Sequence, residues 1–120
     1  MTAKSLSEAD LRQFTGTETW FRHALVPTIL YTEGARHVAE HGGAYWLLDE
    51  IALAQSIQPV AAEAFQSWKL TVEASRQASL ACDDGNGNIV FIKAIPFTDF
   101  PLESITFYCT DRVILLPSEY

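Results

Sequence analysis

The sequence predicts an α+β domain in two layers, with about three helices packed on a mostly antiparallel sheet of four to six strands. Three observations predict it. Apolar residues recur at a helical period in the first half of the chain. From residue 65 onward the period changes to two. The strand candidates of the second half are joined by short reversals, DDGNGN at 83–88 and CTDR at 109–112. With 120 residues, 48% of them hydrophobic, the chain can bury a core without a metal or disulfide staple. No internal repeat, low-complexity tract or Pro/Gly-rich linker divides it, so residues 1–120 are read as a single domain.

The first helix is announced by Ser7 as N-cap and Asp10 at the third helical position, with Leu6 and Leu11 placed as a hydrophobic staple and Gly16 just past the end. TETWFRHA and TILY, separated by a connection containing Pro27, read as two short strands. Thr32 then caps a helix over EGARHVAEH, which Gly42 and Gly43 stop. A glycine pair tolerates positive φ and close backbone approach, so a corner is expected before the next helix, AYWLLDEIALAQ. FQSWKLTVEA places Trp68, Leu70, Val72 and Ala74 on one face against Lys69, Thr71 and Glu73, the pattern of a strand with one solvated side. ASLAC, NIVFIKAI, SITFYC and RVILL follow as strand candidates. NIVFIKAI is apolar on both sides apart from Lys93, which suits a central strand, and Pro117 limits RVILL in the manner of a protected edge.

Winding residues 44–55 at 100° per residue puts Ala44, Leu47, Leu48, Ile51, Ala52 and Gln55 on one stripe, expected to face the sheet. Trp46, Asp49, Glu50 and Leu53 collect on the opposite side. Either the first helix or the Trp20 hairpin covers this second apolar stripe, or Trp46 and Leu53, rimmed by Asp49 and Glu50, form an interaction surface. These four are the candidate binding residues.

Glu33, His37 and His41 recur at i, i+4 and i+8 and share a helix face, the spacing at which two imidazoles reach one zinc ion. HEXXH is absent and polar residues at this spacing usually mark a solvated face, so no metal site is expected and these three are its only candidates. DDGNGN has calcium-like oxygen ligands but lacks the twelve-residue pattern with its terminal glutamate, and a hairpin turn explains it better. There is no P-loop, GxSxG elbow or complete GxGxxG, and no cofactor is expected. His23 in WFRH is a candidate general base, against the plainer reading of a strand-end histidine bonded to backbone. Cys82 and Cys109 sit in apolar alternating segments without CxxC spacing and read as buried free thiols.

Eight basic against fifteen acidic side chains give a formal charge of -7, spread evenly along the chain. That balance opposes direct binding to nucleic acid or anionic lipid and favours protein partners with basic surfaces. The N-terminal MTAKSLSEAD lacks an apolar h-region and no run approaches a membrane span, so a cytoplasmic protein is expected.

GGAYWLLDEIALAQ, DDGNGNIVF with the following FTDFPL, and the C-terminal TDRVILLPSEY together resemble an uncharacterised family of small acidic bacterial proteins found on plasmids and other mobile elements. The similarity spans essentially the whole chain and brings no catalytic or ligand-binding residues with it. It implies a protein that occupies a host protein's surface, such as an inhibitor of a defence system of the CRISPR kind. The expected function is therefore a non-enzymatic protein-binding module. The alternatives are a small cytoplasmic enzyme using His23 or His37, and a structural module that self-associates as a homodimer through the Trp46 stripe or an open sheet edge.

Overall fold

The computed structural model describes residues 6–15 and 19–120. In chain order the elements are α1 (Glu8–Leu11), β1 (Trp20–Arg22), β2 (Leu30–Thr32), α2 (Glu33–Gly42), α3 (Tyr45–Ala54), β3 (Phe65–Val72), β4 (Ala78–Asp83), β5 (Ile89–Ile95), β6 (Ser104–Thr110) and β7 (Val113–Leu115), with short 3₁₀ turns at Val60–Ala62 and Pro117–Glu119.

Local chemistry places the helices. Ser7 and Asp10 form a reciprocal capping box at α1, but the helix stops at Leu11 with Arg12 as its C-cap, shorter than expected. The expected stop at Gly16, and Thr17 and Glu18 of the TETW segment, lie outside the described residues. The Thr32 hydroxyl accepts from the Ala35 amide at the start of α2, and Gly43 ends that helix in the left-handed conformation at φ 63°. Gly42 packs so closely on the Phe100 ring that an added Cβ would lie 2.8 Å from it. The corner therefore needs both glycines, one for its dihedral and one for space.

The fold is α+β, but the strand count is corrected. All seven candidate segments join one mixed sheet in the order β1-β2-β7-β6-β3-β4-β5, against the four to six mostly antiparallel strands expected. The pairing of β2 with β7 is parallel and the other pairings are antiparallel. β1, β2 and β7 are three residues each, too short to show a period of their own. The sequence predicts strands in their segments, but not how they join: β7 inserts between β2 and β6, a pairing across some eighty residues that local pattern cannot reveal. The β6–β7 reversal is made by Asp111 and Arg112, both at positive φ, the dihedral pattern of a tight hairpin turn.

Two strand positions also differ from expectation. β7, read as a protected edge, is interior, and β5, read as central, is the outermost strand beyond β4. Apolar content on both faces of β5 did not locate it: the DDGNGN hairpin ties β5 to β4, and among the described residues no strand pairs on its other side.

The core lies between the helices and one sheet face. Leu47, Leu48 and Ile51 of α3 meet Trp68 and Leu70 of β3, Leu80 of β4 and Phe107 of β6, all essentially inaccessible. The buried polar groups here are matched: Trp68 Nε1 donates to Gln66 Oε1, and the Gln66 amide donates to Gln55 and to the carbonyls of Val60 and Glu63. Cys82 and Cys109 flank β3 as buried free thiols, and burial pushes both up to about 12. Among the described residues no helix is long and apolar enough to cross a membrane.

Candidate functional site

The inward stripe of α3 falls as its spacing predicts, leaving Trp46, Asp49, Glu50 and Leu53 on the outer side. The structure divides these four into two pairs, each four residues apart and so on one line along the helix. Trp46 and Glu50 look toward β5. Asp49 and Leu53 look toward the 23–29 segment.

On the first side, half-buried Trp46 packs against the core and forms one wall of a groove of about 510 Å³ with Gly43, Glu50, Lys93, Phe97 and Thr98. Glu50 and Lys93 cross the space between α3 and β5 as an ion pair, with Nζ 2.8 Å from Oε2 and 3.0 Å from Oε1. Phe97 is the most exposed aromatic ring in the groove, at 68%. Its loop is nonetheless pinned. Arg76 donates from Nε to the Thr98 carbonyl at 3.0 Å and from Nη2 to the Phe100 carbonyl at 2.6 Å, the Thr98 amide donates back to the Arg76 carbonyl, and Phe100 is fully buried. In FTDFPL one phenylalanine anchors the loop inward and the other is held outward. Sequence reasoning missed Phe97 as a candidate, although the paired Phe residues three apart around a turn were available as a signal.

On the second side, Asp49 Oδ1 lies 2.8 Å from His23 Nε2. His23 is 4% exposed, and its Nδ1 accepts from the Leu25 and Val26 amides, each at 3.1 Å. Two backbone donors on Nδ1 fix the tautomer, so Nε2 carries the proton and donates to Asp49. Both ring nitrogens are occupied, which makes His23 a clamp on the 23–26 turn and leaves no lone pair free for a substrate proton. Leu53 is 51% exposed at the edge of a shallow groove of about 150 Å³ with Val26, Thr28 and Arg112.

Glu33, His37 and His41 do share a face of α2, together with Arg36 and Glu40, lining a cleft of about 410 Å³ walled by Phe14 and Phe21. The two imidazole rings lie 4.3 Å apart, and His37 Nε2 is buried without a hydrogen-bond partner. Burial, and then the neighbouring His41, lower the proton affinity of His37 below the ordinary histidine range. Among the described residues no group of three or more His, Cys, Asp or Glu could hold a metal ion. Among the described residues no cysteine or serine lines this cleft to act as a nucleophile beside His37. The hairpin carboxylates are likewise engaged within their own loop: Asp83 accepts from the Gly85 amide, and Asp84 accepts from the Asn86 and Asn88 amides and the Asn88 side chain. The Asn88 side chain, with the two amides, holds the Asp84 carboxyl below the usual range.

A family model described as a family of unknown function (DUF6876) matches residues 5–120. No curated protein and no solved structure matches the chain.

Proposed function

The chain belongs to the DUF6876 family of unknown function, and on that premise we propose that it is a non-enzymatic protein-binding module whose contact surface is the groove between Trp46 and Phe97. The observation that carries this reading is an exposed phenylalanine on a loop that Arg76 and buried Phe100 hold in one conformation. An aromatic ring kept in solvent by a rigid frame loses little freedom on docking, which is how an anchor side chain converts contact area into affinity. Trp46 supplies a half-buried aromatic wall, and the Glu50–Lys93 pair gives the groove a polar one.

The partner is a protein with a basic surface. A formal charge of -7 speeds encounter with such a surface, while the aromatic pair lengthens the stay. The setting of the proposal is a bacterial cytoplasm in which this chain, carried on a mobile element, occupies a surface of a host defence protein. That finer part rests on the resemblance of its GGAYWLLDEIALAQ and TDRVILLPSEY segments.

The test is affinity capture from a bacterial host with wild type, Phe97→Ala and Leu25→Ala side by side. Leu25 is equally exposed but lies away from the groove. A partner held by wild type and Leu25→Ala, lost with Phe97→Ala, and released as salt is raised fits the proposal. Equal recovery with wild type and both variants would reject the groove as the contact surface.

A further inference from the structure

β5 is seven residues long and, among the described residues, pairs with β4 alone, leaving the backbone donors and acceptors of its other edge open. The opposite edge of the sheet, β1, has three residues. Sheets ordinarily guard a long edge with a charge, a proline within it, a β-bulge or a covering segment, and in β5 the bulge at Val90 disturbs the N-terminal end and leaves residues 91–95 regular. β5 carries Ile89, Val90, Phe91, Ile92, Ala94 and Ile95 around a single ionisable residue, Lys93, and that lysine is drawn onto Glu50 of α3. Its charge therefore does not guard the edge. Pro96 follows the strand and ends the ladder without interrupting it.

The side chains add to the open backbone. Phe91 and Lys93 lie opposite Cys82 and Leu80 of β4 and so point to the helical side, where Phe91 packs on Trp68. Ile92 points to the other, open face of the sheet. A register shift at Val90 sets Ile89 opposite Asp83, which brings Ile89 onto the same open face although it is three residues from Ile92. These two isoleucines are 53% and 66% exposed.

We propose that β5 is a self-association edge, on which two copies of this chain pair antiparallel about a two-fold axis normal to the sheet. The two sheets then run on as one, with both helical layers on the same side. An edge strand offers an identical edge the same alternating donors and acceptors, so the contact is self-complementary. In a register centred on Ile92, the two Ile92 side chains meet at the axis and Lys93 of each copy lies opposite Phe91 of the other. No like charges face each other. Charge also selects this edge: elsewhere a copy meets the surface of a chain with net charge -7, whereas β5 presents no acidic side chain. A single pair of seven-residue strands buries an area near or below the low end of the ~1,200–2,000 Å² typical of stable complexes, so the dimer is reversible and concentration-dependent. The Trp46 groove shares Lys93, Ala94 and Ile95 with β5, and Phe97, in the loop beyond the strand, is the residue that belongs to the groove alone.

Sedimentation equilibrium of the full chain from micromolar to millimolar concentration tests this, together with amide exchange at both extremes. The expected result is a monomer–dimer equilibrium that strengthens with added salt, because salt screens repulsion between two acidic chains. Binding to a basic partner moves the opposite way with salt, so the two associations are separable. Ile92→Lys sets like charges across the axis and is expected to weaken the dimer about tenfold or more at an unchanged melting temperature. Phe97→Ala is expected to leave it intact. Should Ile92→Lys fail to fold, slowed exchange of β5 amides in concentrated wild type still decides the matter. A monomer throughout the range, or a dimer with β5 amides unprotected, overturns the proposal and leaves the groove reading standing.

Discussion

Asp49 and Glu50 are adjacent in sequence and serve different parts of the molecule, because neighbours on a helix point about 100° apart. Asp49 secures His23 and the turn behind β1, and Glu50 secures Lys93 and β5. Their divergence was legible from the sequence, but their partners were not, since both come from segments more than twenty residues away. Asp49→Ala leaves the buried His23 Nε2 proton without its acceptor and is expected to destabilise the fold by about 1–3 kcal/mol in urea denaturation. Asp49→Asn, which keeps an acceptor oxygen, is expected to lose less; equal losses would show that the hydrogen bond is not what matters. His37 gives a pH prediction. Its folded-state proton affinity is lowered, chiefly by burial. Above the ordinary histidine value both states are neutral and the residue has no effect. As pH falls below that value the unfolded chain takes up a proton first, so stability declines until the folded-state histidine also titrates. Melting temperature should therefore drop faster between pH 7 and 5 in wild type than in His37→Phe, and parallel curves would contradict this assignment.

Among the elements, α2 and α3 were readable because the Thr32 cap of α2, the glycine corner and the apolar stripe of α3 are each local in sequence. What secures the start of α2 was not readable. Glu119, in the last turn of the chain, accepts from the Thr32 hydroxyl at 2.6 Å, the Gly34 amide at 3.1 Å and the Leu116 amide at 2.9 Å. A carboxylate at a helix N-terminus meets both free amides and the positive end of the helix dipole. Space at Gly34 is reserved for it, since an added Cβ would lie 2.6 Å from Glu119 Oε1 and 2.8 Å from Leu116 Cδ1. Glu119→Ala is expected to lower stability by about 1–3 kcal/mol by denaturant titration, with Glu119→Gln intermediate. A neutral Glu119→Ala would mean that Thr32 caps α2 unaided. The same element-level limit explains the displaced β5: its seven apolar-rich residues identify a strand, while its place at the margin depends on which strands pair elsewhere.

At the scale of the whole molecule, evenly spread acidity and two apolar openings, one at the Trp46 groove and one along β5, set the opposite salt responses expected for partner binding and for self-association. The sequence by itself determined what depends on neighbours along the chain. It determined the α+β class, the caps of α1 and α2, the glycine corner, the inward stripe of α3, the β4–β5 hairpin, and the absence of nucleotide and protease motifs. Tertiary structure alone decided what depends on distant residues meeting. It set the seven-strand order, with β7 zipped between β2 and β6, and the division of the Trp46, Asp49, Glu50 and Leu53 patch between two surfaces. It also occupied both nitrogens of His23 and turned Phe97 outward. The physical reason is that caps and hydrophobic periods are energies of residues within a turn or two, whereas strand order and side-chain exposure follow from loop closures and packing over the whole chain.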